Sequence, residues 1–131
     1  MKKSRFVLEY EFNASSKMLF PYFSTPSGLA QWFADDVTVD EDHRYNFMWE
    51  GVDHLARMVG HRTNSYVKFV YLDDNGQDQE DAGFVEFKLE PNELTQTTFV
   101  RVVDYSDFDD VEEQEDMWQQ MLQSLKETVG G

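Results

Sequence analysis

Cysteine is missing from this 131-residue chain, which excludes disulfides and thiolate chemistry and fits a reducing compartment. A cytoplasmic location is the expectation. Positive charge is scarce: 11 Lys and Arg face 26 Asp and Glu, for a net charge of −15. Such a chain repels phosphate backbones and anionic bilayer surfaces, so neither nucleic acid nor membrane is an expected partner. No apolar run is long enough to span a bilayer. The opening stretch MKKSRFVLEYEF starts basic, but Glu9 and Glu11 break up the apolar residues after it, so it does not read as a signal peptide. Gly-rich phosphate loops and nucleophile elbows are lacking too, and no cofactor is implied.

Aromatic residues and carboxylates are plentiful. The acids gather in three runs, ADDVTVDED (34–42), DDNGQDQED (73–81) and DYSDFDDVEEQED (104–116). The chain between them is rich in rings, so the runs read as solvated loops around a sizeable core. Mutual repulsion of the runs predicts that moderate salt raises the melting temperature. The length fits one domain over 1–131, on a prior of ~100–200 residues per domain.

Residues 5–12 alternate, with Phe6, Leu8, Tyr10 and Phe12 on one side, as in a half-buried strand. Ser15 is a plausible N-cap for a short helix carrying Leu19 and Phe23, which Pro21 must shorten or kink. Thr25 and Pro26 read as the cap and first residue of a second short helix. Its apolar face takes Leu29, Trp32 and Phe33, and Asp35 and Asp36 stop it. Strands come next in VTV and in RYNFMWEG, where Tyr45, Phe47 and Trp49 share a face. Gly51 turns the chain into VDHLARMVGH. SYVKFVYLDD places Val67, Phe69 and Tyr71 together, and GFVEFKLE does the same for Val85, Phe87 and Leu89. Pro91–Glu93 reads as a turn, and TQTTFVRVV as a strand with Thr98, Val100 and Val102 inward. Hairpin spacing implies an antiparallel sheet. From about Asp109 to Val129 the residues Trp118, Met121, Leu122, Leu125 and Val129 fall at helical spacing. Asp109, Asp110, Glu112 and Glu113 crowd the N-terminus of that helix, and Gly130 suits its left-handed cap. The expected fold is α+β: a curved antiparallel sheet of about six to seven strands, two short helices after the first strand, and one long helix in the concave face.

Three stretches resemble the START-like (helix-grip) superfamily, and more closely its branch of activators of the heat-shock chaperone ATPase. They are NASSKMLFPYFSTPSGLAQWFADDV, FMWEG and MWQQMLQSLKETV. The likeness covers about residues 5–129 and extends to small bacterial START-like proteins of no established activity. It implies a helix-grip fold with a space between the long helix and the sheet, where many members hold lipids, sterols, hormones or polyketides. A few members are cyclases or hydrolases, and the chaperone activators hold a protein partner on their outer surface. No shared catalytic residue exists to transfer.

Phe12, Trp32, Phe47, Trp49, Met58, Phe69, Tyr71, Phe87, Trp118, Met121, Leu122 and Leu125 are the candidate lining of a ligand cavity. The competing reading is plain core packing. Asp35 and Asp36, being adjacent, point to opposite faces, so they read as a helix stop and not as an acid/base pair. His54 and His61 are seven apart on one strand, which predicts opposite faces, and with His43 in a loop the three do not converge as metal ligands. DDNGQDQED places Gly76 fourth from Asp73, not sixth as a calcium loop requires. Arg57 and Arg101 are candidate anchors for a carboxylate ligand, with pairing to nearby acids the preferred reading. Three functions compete: a non-enzymatic domain holding a small apolar ligand, a protein-interaction module or homodimer, and a cavity enzyme. The last would need a buried polar group among the rings. Tyr10, Tyr45, Tyr66 and Tyr71 are the candidates, none with an evident base beside it.

Overall fold

A computed structural model describes residues 2–130. Seven antiparallel strands form one curved sheet in the order β1-β7-β6-β5-β4-β3-β2. They are β1 Ser4–Phe12, β2 Asp36–Val39, β3 Arg44–Trp49, β4 Val52–Arg62, β5 Tyr66–Tyr71, β6 Phe84–Asn92 and β7 Thr97–Ser106. Strands β2 to β7 run as a meander, and β1 returns to lie beside β7. The helices are α1 Ser16–Leu19, α2 Pro21–Ser24, α3 Pro26–Leu29 and the long α4 Val111–Val129. None of the described helices is long and apolar enough to cross a membrane.

The short helices follow from their caps. Ser15 Oγ accepts from the Met18 amide. Pro21 has no N–H to continue α1, so the chain restarts there as α2, with proline at the first helical turn. Thr25 Oγ1 accepts from the Gly28 amide and donates to the Pro21 carbonyl. Gly28 lies so close to α2 that a Cβ would run into the Pro21 carbonyl. Trp32 and Phe33 differ from the sequence expectation in one respect. Helix α3 ends at Leu29, and both rings sit in the turns beyond it, still directed into the core.

Asp35 and Asp36 cap backbone. Asp35 Oδ2 accepts from the Glu50 amide, and Asp36 Oδ1 from the Val37 amide. Glu50 and Gly51 both have positive φ, 51° and 78°, the primed turn that matches strand twist in a two-residue hairpin. The β6–β7 connection corrects the predicted Pro91–Glu93 turn. Pro91 and Asn92 stay in the ladder opposite Thr98 and Thr97, and the turn spans residues 93–96.

Strand β4 brings a second correction. A bulge between Met58 and Gly60 leaves Val59 without a partner in the ladder. The extra residue resets the alternation, so His61 stands opposite buried Val67 and its ring lies 5.4 Å from Phe20. His54 and His61 therefore share the concave side, where strict alternation had set them on opposite faces.

Helix α4 crosses the concave side. Asp110 caps it, accepting from the Glu112 and Glu113 amides, and Gly130 closes it in the left-handed conformation. Its stripe buries Trp118, Leu122 and Leu125 against a core that includes Phe12, Phe23, Phe47, Phe69 and Phe87. Each of those three helix side chains adds roughly 1.5–3 kcal/mol by leaving water. The stripe also begins one turn earlier than the apolar pattern shows, because Gln114 is buried.

Candidate functional site: a recess beside the first half of the long helix

Phe33, Trp49, Tyr71, Val85 and Phe108 on one side, and Met117, Trp118 and Met121 of α4 on the other, wall a recess of ≈ 410 Å³ that opens to solvent. Three polar residues share the wall: His54, Asp104 and Ser106. The walls are apolar with few polar groups, the usual make-up of a small-molecule site.

Asp104 organises the polar side of the recess. It lies in the third acidic run, yet its residue is only 8% exposed, which corrects the reading of that run as solvated loop. Strand β7 continues to Ser106, so Asp104 follows Thr98, Val100 and Val102 onto the concave face. Its Oδ2 accepts two hydrogen bonds from α4, from Gln114 Nε2 at 3.0 Å and Trp118 Nε1 at 2.9 Å. Donors on a carboxylate make strong hydrogen bonds, and these offset part of the cost of burying the charge. Among the described residues no hydrogen bond reaches Oδ1, and no Lys or Arg forms an ion pair with Asp104.

Burial, and then the nearby Asp104 carboxylate, push the Tyr71 phenol far above its usual range, so the hydroxyl stays protonated. Tyr71 thus does have a carboxylate near it, contrary to the sequence reading. His54 Nδ1 lies 3.1 Å from the Val52 carbonyl and 3.3 Å from that of Phe47, two acceptors to which Nδ1–H donates. The His54 ring packs edge-on 4.9 Å from Trp49. The Ser106 hydroxyl oxygen is buried without a partner among the described residues.

Four of the twelve cavity candidates wall this recess: Trp49, Tyr71, Trp118 and Met121. The remaining eight lie elsewhere in the packed interior. Phe12, Phe47, Phe69, Phe87, Leu122 and Leu125 are fully buried, Trp32 is nearly so, and Met58 packs against the core half-buried. The tryptophans also tie elements together. Trp32 donates to the Tyr22 carbonyl, Trp49 to the Phe33 carbonyl and Trp118 to Asp104. Sequence reasoning missed Asp104, Gln114, Ser106 and Phe108. Carrying the β7 alternation two residues past Val102 would have found Asp104, and stepping one helical turn back from Trp118 would have found Gln114.

The other candidates fall outside the recess. Among the described residues no three His, Asp or Glu side chains are placed to hold a metal ion. Asp73 Oδ1 accepts from the Asn75 and Gln77 amides, so the acidic loop uses this carboxylate for its own turn. Arg57 pairs with Asp78 at 3.6 Å on the surface. Arg101 pairs with no acid among the described residues, and its Nε is buried without a partner on the convex side.

Comparison with known proteins agrees with this architecture. A family model described as a START-like superfamily domain matches residues 1–131. A Bacteroides fragilis protein solved by NMR is 34% identical, with a TM-score of 0.63, over 98% of this chain and 93% of that one. The Aha1 dimer from Colwellia psychrerythraea is 20% identical, with a TM-score of 0.73, over 94% and 93%. A Mesorhizobium loti protein is 16% identical, with a TM-score of 0.75, over 97% of both chains. At these low identities the last two likenesses speak for fold alone. No curated protein matches the sequence.

Proposed function

The chain belongs to the START-like superfamily, and from that premise we propose that it is a non-enzymatic domain holding a small, largely apolar ligand in the recess beside α4. The observation that carries this reading is an opening of ≈ 410 Å³ walled by rings and methionines, in a chain whose remaining candidates are close-packed. Close packing is the default for interior side chains, so an open apolar space that size asks for an occupant. Binding is favoured over catalysis because, among the described residues, no hydrogen bond joins His54, Tyr71, Asp104 and Ser106 to one another as a nucleophile–base pair. Asp104 holds Gln114 and Trp118, and His54 Nδ1 holds backbone carbonyls. In the same reading residues 1–131 are one domain acting in the cytoplasm, without nucleic-acid or membrane partners.

Native mass spectrometry of protein purified from its own cell tests the proposal. A co-purifying small molecule that is released on denaturation is the expected result. Protein that is always empty, with no response of the Trp118 and Trp49 indole signals to any apolar probe, would overturn it. A second reading is a protein-interaction module or homodimer, favoured by the shared fold of the Aha1 dimer. Light scattering at micromolar concentration separates them: a dimer mass supports the second reading, and a monomer mass removes the homodimer.

A further inference from the structure

Resting on the binding reading above, we infer that the recess selects an organic cation, an ammonium head carried on a short apolar or aromatic body. Charge within the recess is unbalanced. Asp104 is a buried carboxylate with no cationic partner among the described residues, and both of its hydrogen bonds use Oδ2. No Lys or Arg lines the recess. A carboxylate taken out of water gains most from a cation placed against its free oxygen.

The walls suit the same guest. Trp49, Tyr71 and Trp118 contribute aromatic wall, and indole is the strongest cation–π partner among side chains. The surroundings suit it too. His54 and Tyr71 also border a neighbouring hollow of ≈ 360 Å³ whose walls include Asp53, Asp73 and Asp74. These carboxylates add to the negative potential around the recess, which favours a cation over an anion.

Three probes of one chain length separate the possibilities: octylammonium, octanol and octanoate. Each is titrated into the full chain, with the indole N–H signals of Trp118 and Trp49 followed by NMR. The titrations use about 0.5 M salt, where charges farther apart than roughly 4 Å are screened. Octylammonium is expected to bind about tenfold tighter than octanol, with octanoate weakest, and to shift both indoles. Asp104→Asn, which keeps an acceptor for Trp118, is expected to remove the preference. Equal binding of ammonium and alcohol, or tighter binding of octanoate, overturns the cation inference and leaves the apolar-ligand reading in place. No response to any of the three overturns both. Shifts confined to the acidic runs, or a preference retained in Asp104→Asn, would mark general counterion attraction and also overturn the inference. The wild-type series decides the matter even where the variant fails to fold.

Discussion

The two halves of α4 meet the same sheet in different ways. Toward the C-terminus, Leu122 and Leu125 are fully buried, and the flank against β1 is finished by Tyr10, whose hydroxyl donates to Gln123 and whose ring lies 5.8 Å below the Lys126 ammonium. Toward the N-terminus, Met117 and Met121 are half-buried beside open space, and Trp118 both packs on Phe33 and, with Gln114, donates to Asp104. One half is joined by apolar packing, which is non-directional and fills its volume. The other combines one packed ring with directional hydrogen bonds to Asp104, and its flank at Met117 and Met121 borders the recess. A single helix thus packs closely at one end and borders an opening at the other.

The sharpest way to break this comparison is truncation in each half. Leu125→Ala should cost ~2–5 kcal/mol, measured by urea unfolding, because it leaves a cavity in packed surroundings. Met121→Ala should cost about 1 kcal/mol, since it already borders open space and leaves no new sealed cavity. Equal losses would mean the N-terminal half is as tightly packed as the other. Next in size is Asp104→Leu. Stranding the Gln114 and Trp118 donors should cost ~1–3 kcal/mol, and Asp104→Asn should cost clearly less because it keeps an acceptor. A leucine variant as stable as wild type would show that the polar tether is not what holds this end.

A smaller effect concerns the molecule as a whole. Raising salt from low to physiological should lift Tm by a few degrees, worth ~1 kcal/mol or less, by screening the acidic runs. A flat or falling Tm would show that their charges are already compensated. The smallest effect is expected outside both halves. Leu94 is 97% exposed at the β6–β7 turn, and Leu94→Ser should change stability by less than about 0.5 kcal/mol.

Much of the fold was legible because local rules agree with the tertiary outcome. Ser15, Thr25 and Pro26 mark helix starts, Gly51 marks a hairpin, and Trp118, Leu122 and Leu125 mark the buried stripe of α4. The failures occur where one residue departs from its neighbours. Val59 adds a step to β4 and carries His61 to the concave side; Gly60, an isolated glycine inside the strand, was the overlooked cue to the bulge. Asp104 sits among acids that resemble it in sequence but mostly face water. Its own strand phase was the only cue, and composition masked it.

Alternation, helical spacing and capping chemistry by themselves determined the element order, the antiparallel sheet and the face of α4 that turns inward, because each is a short-range property repeated many times. Which ring walls an opening and which is sealed in the core was decided only in three dimensions. That outcome depends on distances between segments far apart in the chain, above all Phe33, whose ring stacks 5.9 Å from that of Trp118.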